Sequence, residues 1–416
     1  MKLAGLSCSR YKKFKDSTVI GITPLTIVIG KNGSGKSVVS RLPVLIAGSM
    51  SANVDGILDL NAGGIWHAKS LHDLVHARSA LPFSLGATFS DGDLKISFET
   101  NLLYVNESKR LAVDRFSAKL NENEIVVAEV ADLDQLSHDE RQYRIVVGGV
   151  EKVEKVAWHG LIPDLSHVFT DVDSHLRKIK AALALPSYLG PFRVEAIGAG
   201  RYPHQKVESL GPKGERTLDF LANDKLRRKG EVSAKVREWF VKTMGGGVDT
   251  DISGEAPVVQ VAAGNLDFKV DFADTGAGFS QCLPVVVQNF AYQSGQLNAP
   301  ILVVEQPELH LHPAAHGDMA DLMMDSVISG AVCVVETHSE QFISRIRRRI
   351  AEGKISCEMV SILSVDHIDP GSDEVEPLRA ISFNERGEPS AWPRGVFEES
   401  LDDLRLLRNA ARERGL

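Results

Sequence analysis

The residues whose types and spacing carry the most specific chemistry are Gly30-Lys31-Asn32-Gly33-Ser34-Gly35-Lys36-Ser37, which fit G-x-x-x-x-G-K-S. Glycines at this spacing let backbone N–H groups turn inward around phosphate oxygens. Lys36 supplies positive charge to the β- and γ-phosphates, and the Ser37 hydroxyl can ligate Mg²⁺. The N-terminus of a following helix adds a partial positive charge. A second set is Glu305-Gln306-Pro307-Glu308. An acidic residue at the tip of a buried strand neighbouring the phosphate-loop strand is where Mg²⁺ needs a ligand, and Glu305 is that residue. A third is Glu336-Thr337-His338-Ser339, which places His338 at the same sheet edge, where it can sense the γ-phosphate or orient the attacking water.

These residues need particular elements to hold them. Leu25 to Ile29 is an apolar, β-branched run ending at Gly30 and reads as a buried strand. A helix should begin near Lys36, and Pro43 should kink it or end it early. Ile301 to Val304, Ala331 to Val335 and Val360 to Leu363 are further apolar runs with helical stretches between them. Buried strands alternating with helices predict an α/β fold with a mainly parallel sheet covered on both faces. From Phe83 to Val147 the pattern favours short strands and hairpins, as at the Asp91-Gly92 turn. Glu215 to Met244 reads as helix, with Lys225, Arg227, Arg228 and Lys229 in one cluster, and Val258 to Phe272 returns to strand alternation. The expected division is a discontinuous ATPase core at 1–60 and 265–400. A β subdomain and helical insertion fill 60–265, and a C-terminal helix spans 398–416.

Bulk composition agrees with a globular chain. Of 416 residues 43 % are hydrophobic and 25 % charged, enough for a sizeable core. The net charge of −8 gives no chain-wide field toward DNA or an acidic membrane, although a local basic patch could still dock nucleic acid. Cys8, Cys282, Cys333 and Cys357 form no CxxC pair, which fits a reducing cytoplasm. No apolar run approaches the roughly 18 residues of a membrane span.

Other constellations are weaker. His310, His312 and His316 invite a zinc site, but no Cys or further ligand stands at metal spacing. Asp132/Asp134, Asp171/Asp173 and Asp249/Asp251 are pairs of the kind common in solvated turns, and they lack the ligand constellation of a nuclease. Arg345, Arg347, Arg348 and Arg349 read as a solvated helix face that could also contact nucleic acid or a partner.

Taken together, the chain resembles the ABC-type ATPase heads of the SMC and RecF-like superfamily. It is more closely similar to a bacterial family of AAA-type ATPases related to the ATPase half of OLD-family nucleases. The match rests on Gly30 to Ser37, on Asp274-Thr275-Gly276-Ala277-Gly278-Phe279-Ser280-Gln281, on Glu305-Gln306-Pro307-Glu308-Leu309-His310-Leu311-His312-Pro313, and on Val335 to Glu340. Tyr188 to Arg193 and Trp392 to Phe397 match less strongly, and residues 60 to 180 match nothing nameable. The resemblance implies that Gly276, Gly278, Ser280 and Gln281 form a signature segment. Such a segment caps the γ-phosphate held by a partner subunit, with a helix beginning near Gln281 aimed at it. The 78 residues after His338 are too few for the nuclease domain of OLD-family proteins.

The function so implied is an ATP- and Mg²⁺-dependent switch that closes as a homodimer or higher homo-oligomer. It would serve anti-phage defence beside a separately encoded effector, in the cytoplasm. The rival expectation is a DNA-repair or chromosome-maintenance head binding duplex DNA, which a coiled-coil arm would favour; no sustained heptads are visible. In most heads of this type a glutamate follows the Mg²⁺-binding carboxylate, and here that position is Gln306. A neutral amide orients water but is no general base. Glu308 could substitute, with Pro307 leaving its direction open, and Glu336 is more distant. The expectation is slow turnover, under the enzyme median of about 10 per second.

Overall fold

Two large sheets organise the chain. The computed structural model describes residues 1–50, 56–132, 141–194, 206–253, 256–263, 269–369, 374–396, 406 and 408. The expected C-terminal helix therefore lies outside the described residues, apart from Leu406 and Arg408.

The first sheet has six strands, in the order Ser187–Leu189, Ile301–Glu305, Val332–Glu336, Leu25–Ile29, Val360–His367 and Glu376–Ile381. Its first five strands run parallel and the last antiparallel. Period-two alternation explains why the strands read as unbroken apolar runs. Leu25, Ile27, Ile29, Leu302, Val304, Cys333 and Val335 face one core. Val28, Ile301, Val303, Val332 and Val334 face the other. The helices Ala277–Gln293, Pro313–Ile328 and Glu340–Ala351 cover the first face. The helix Lys36–Gly48 covers the second.

That first helix does not stop early. It passes through Pro43 and continues to Gly48. Pro43 removes one N–H bond, but Leu42, Val44, Leu45 and Ile46 are all buried, and their packing outweighs the loss. The acidic strand is also not the immediate neighbour of the phosphate-loop strand. Val332–Glu336 lies between them, with Glu305 opposite Glu336 and Glu336 opposite Val28.

The second sheet is antiparallel and has eight strands: Thr18–Gly21, Lys2–Ser9, Phe83–Asp91, Leu94–Val105, Arg110–Leu120, Asn123–Val130, Gln142–Val147 and Val150–Lys155. The Asp91-Gly92 turn forms as the sequence predicts, with Gly92 at φ 58° and Asp91 paired to Leu94. The stretch from Glu215 is two helices, Thr217–Arg227 and Glu231–Met244. Lys229 at φ 61° and Gly230 at φ 73° break it, since left-handed residues cannot continue a right-handed helix. A three-stranded sheet, Gly246–Ser253, Ala256–Ala263 and Lys269–Asp271, packs beside them. Among the described residues the longest helix has 17 residues, and no helix is long and apolar enough to cross a membrane.

Candidate functional site

The parallel register brings three strand ends to one edge. Ile29 leads into Gly30, Glu305 into Gln306 and Glu336 into Thr337. Gly30 sits at φ 149°, and a Cβ there would stand 2.7 Å from the Val365 carbonyl oxygen, so no other residue fits. Gly33 and Gly35 are also at positive φ, 78° and 94°. Lys31, Asn32 and Gly33 are exposed along the loop, and Ser34 is buried with no partner for its Oγ. Lys13 crosses above, donating to the Ser34 carbonyl and pairing with Asp366.

Lys36 opens the helix with its side chain folded under the loop. Its Nζ donates to the carbonyls of Gly30 at 3.0 Å and Lys31 at 2.9 Å. Burial holds this ammonium below its ordinary range, and Glu336 acts against that. One turn on, three side chains share a helix face, because Ser37, Ser40 and Arg41 are spaced i, i+3, i+4. Ser37 Oγ donates to Glu336 Oε2 at 3.0 Å. Ser40 Oγ lies 3.1 Å from Glu305 Oε1 and 3.3 Å from Glu336 Oε2. Arg41 forks onto both oxygens of Glu305, at 2.6 and 2.7 Å, and stacks over the Tyr188 ring at 5.8 Å. Glu305 is only 1 % exposed, so this fork neutralises a buried carboxylate. Burial and then Glu305 raise the Glu336 carboxyl above its usual range. Hydroxyl and carboxylate oxygens are the donors a hard divalent cation takes, so the set fits Mg²⁺.

Gln306 adopts φ 48°, unusual for a side chain with a Cβ. Two bonds hold it there. Its N–H donates to the Glu336 carbonyl at 2.7 Å, and its carbonyl accepts from Arg193 Nη2 at 3.3 Å. Glu308 is buried and brackets the adjoining loop through Oε1, which accepts from Thr337 Oγ1 and from the His338 N–H, both at 2.8 Å. Glu308 Oε2 is buried with no partner. His338 is exposed at this edge; partial desolvation of its ring and then the Lys36 ammonium hold the imidazole below its ordinary range. Ser339 caps the next helix, accepting from the Phe342 N–H at 3.0 Å.

The signature segment differs from expectation. Its helix starts at Ala277, not near Gln281, so Ser280 and Gln281 lie inside the helix and turn inward. Ser280 Oγ donates to the Ala277 carbonyl. The Gln281 amide closes on the Arg193 backbone, with Nε2 donating to the carbonyl at 2.9 Å and Oε1 accepting the N–H at 3.0 Å. Gly276 and Ala277 remain exposed. A Cβ on Gly276 would meet nothing within 4 Å, whereas one on Gly278 would stand 2.9 Å from the His310 carbonyl of the same chain. Gly278 therefore serves the subunit's own packing.

Arg193 and Arg41 were not singled out from the sequence. Arg193 is a buried cation whose fork joins the Gln281 carbonyl at 3.0 Å to the Glu305 carbonyl at 2.7 Å. Its position in Tyr188 to Arg193 gave no local sign of that role. Arg41 was legible in principle, through its helical spacing from Ser37.

The remaining constellations have structural partners. His312 Nδ1 accepts from the Ala314 N–H, capping a helix that has Pro313 at its start. His316 bridges Ser339 Oγ and the Leu311 carbonyl. Arg345 pairs with Asp318 and Asp321, Arg349 with Asp321 and Glu352, and Arg348 with Glu352, while Arg347 donates to the Gly387 carbonyl. Asp249 pairs with Arg237 and Lys269, and Asp251 with Lys225. Asp134 and the side chains of Asp171 and Asp173 lie outside the described residues. A polar cleft of about 660 Å³ opens on the antiparallel sheet, lined by residues such as Arg10, Glu99 and Arg115, and includes none of the site.

Comparison with solved structures shows an SMC-type ABC ATPase head fold. The crystal structure of an SMC head bound to the C-terminal winged-helix domain of ScpA is 14 % identical. It aligns over 92 % of this chain and 99 % of its own, with a TM-score of 0.53. An SMC head domain from Thermotoga maritima aligns at 11 % identity over 91 % of this chain and 100 % of its own, with a TM-score of 0.44. No curated protein matches the chain. A family model described as "AAA domain, putative AbiEii toxin, Type IV TA system" matches residues 25–344, from the phosphate-loop strand to beyond His338, and the chain belongs to this family.

Proposed function

We propose that this protein binds and slowly hydrolyses ATP, and that nucleotide closes two copies head to tail. The observation that carries the reading is the convergence at one sheet edge of the phosphate loop, the Ser37 hydroxyl and the carboxylates of Glu305 and Glu336. The loop amides and Lys36 would hold the phosphates, with Lys36 exchanging its two carbonyl partners for phosphate oxygens. Mg²⁺, when bound beside Ser37, supplies charge neutralisation on the β- and γ-phosphates. Gln306 would orient the attacking water through its amide, and His338 would lie within reach of the γ-phosphate. The exposed Gly276-Ala277 start of the signature helix would meet a partner's nucleotide, since N-terminal helix amides favour anions.

The family description names a toxin of a Type IV toxin–antitoxin system, which supports a role in defence or conflict; on this reading the switch works beside a separately encoded effector. The arginine run of Glu340–Ala351 gives little support to the duplex-DNA reading, because its guanidinium groups are engaged within the subunit.

The test is calorimetry with a non-hydrolysable ATP analogue. Removing a charge that pairs with a bound anion costs about 2–5 kcal/mol. Lys36→Ala should therefore weaken binding by roughly thirtyfold or more. Unchanged affinity refutes the assignment.

A further inference from the structure

We propose that residues 392–396 form a strap that senses occupancy of the phosphate loop, with Lys31 resting on Gly395 as the point of contact. The proposal rests on the nucleotide-site reading above.

The path of the chain supplies the first argument. The edge strand Glu376–Ile381 lies two strands from the phosphate-loop strand. A turn between Asn384 and Glu388 then reverses the chain, and the Ser390 N–H donates to the Ser382 carbonyl. By residue 394 the chain is back at the strand ends. The Arg394 N–H donates at 2.8 Å to the carbonyl of Ile368, just past the strand Val360–His367, which pairs directly with the phosphate-loop strand. Pro393 is buried, and Trp392 and Val396 pack against the core. Trp392 Nε1 donates to the Val396 carbonyl at 3.1 Å and closes the turn that carries Gly395 at φ 70°.

Contact with the loop supplies the second. A Cβ on Gly395 would stand 3.1 Å from Lys31 Nζ and 3.2 Å from its Cε, so the lysine lies across the open face of the glycine. The other flank of the loop is tied to the same strand end. The Lys13 stem covers Gly35, where a Cβ would stand 2.5 Å from Cδ, and its ammonium bridges the Ser34 carbonyl and Asp366. Asp366 and Ile368 therefore serve both flanks, one through Lys13 and one through the strap.

Lys36 supplies the coupling. Its Nζ donates to the Lys31 carbonyl at 2.9 Å. Phosphate oxygens that take over Lys36 would release the Lys31 peptide and give the Lys31 ammonium an anion to face. A ligand shifts a conformational equilibrium only through interactions that differ between the two states. Lys31 meets that condition twice, through its carbonyl and through its ammonium, and Gly395 lies against it.

The experiment titrates a non-hydrolysable ATP analogue and follows tryptophan emission and binding heat together. The chain has four tryptophans, so wild type is compared with Trp392→Phe to assign the signal. Wild-type emission should change with the midpoint of the heat, and Trp392→Phe should bind while losing most of that change. Lys31→Ala, although a weaker binder, should show little of the wild-type change at saturation. Affinities of Lys31→Ala, Gly395→Ala and the double variant give a second readout that needs no tryptophan. Residues in contact couple, so the double variant should depart from the product of the single effects by at least about twofold. Unchanged wild-type emission at a saturation shown by heat overturns the proposal, as does a full change in Trp392→Phe or in saturated Lys31→Ala. Single effects that multiply independently also overturn it. Wild type that gives no binding heat refutes the nucleotide site itself.

Discussion

Replacing Arg193 separates two costs that usually travel together. The guanidinium is 5 % exposed, and its partners are carbonyls rather than carboxylates: Gln281 at 3.0 Å, Glu305 at 2.7 Å and Gln306 at 3.3 Å. Burial pushes its pKa down to about 10, which still leaves it charged at neutral pH. Three bonds from a charged donor contribute roughly 1.5–3 kcal/mol each. Against them stands the desolvation of the cation, several kcal/mol by itself. Arg193→Met keeps most of the stem and removes the bonds and the buried charge together, leaving mainly the cost of the carbonyls it uncovers, about 1–3 kcal/mol. Arg193→Lys keeps a buried charge but loses the planar fork that spans two elements. It should cost about 3–5 kcal/mol, the range for a buried charge stripped of partners.

Urea midpoints at constant slope measure this order. Both variants should also lose turnover while retaining ATP affinity, because Arg193 helps hold Gln306 at φ 48°, a left-handed conformation that costs about 1–2 kcal/mol. A methionine variant less stable than the lysine variant would refute the desolvation argument. Full turnover in both would refute the positioning argument.

Five further outcomes are expected. Gly276→Arg should abolish nucleotide-dependent closure, read by light scattering with and without the ATP analogue, and leave the monomer's ATP affinity intact; Gly278→Ala should lower thermal stability even without nucleotide, because of the 2.9 Å approach to the His310 carbonyl. His67 is buried, and desolvation lowers its pKa to about 4 from 6.5; the unfolded chain takes up this proton first as pH falls, so about 3 kcal/mol of stability present above pH 6.5 is lost on approaching pH 4, and denaturation midpoints of His67→Gln should lack that slope. Gln306→Glu should raise steady-state phosphate release by on the order of a hundredfold, and Glu308→Gln should change it little; abolition by Glu308→Gln alone would move the base to Glu308.

The fold was legible where local pattern and tertiary outcome coincide. The apolar runs at Leu25, Ile301, Val332 and Val360 became strands of one sheet because each has too many buried positions for a half-exposed element. Strand order was not legible. Both acidic strands end in glutamate, and only the pairing shows which one lies beside the phosphate loop. Pro43 misled because local propensity gives way to a helix buried on nearly every side. Ser280 and Gln281 misled for a related reason. A polar Gly-Phe-Ser-Gln string reads as an exposed loop, yet Gln281 is consumed by a hydrogen-bond exchange with Arg193, 88 residues away in sequence.

The charge balance gives a reason for an amide at position 306. Glu305, Glu308 and Glu336 meet at this edge, and the cations around them are Lys36, Arg41 and Arg193. Arg41 is committed to the Glu305 carboxylate and Arg193 is fixed on carbonyls, while Lys36 holds only two carbonyls of its own loop, which phosphate oxygens can replace. A fourth carboxylate at Gln306 would add charge to the same edge, where the Gln306 N–H binds the Glu336 carbonyl. Like charges at that range weaken binding of a polyphosphate even as the new base speeds attack by water. Under the proposed function, an amide at this position would favour holding ATP over cleaving it, and the rate gain expected in Gln306→Glu should come with weaker affinity for the ATP analogue.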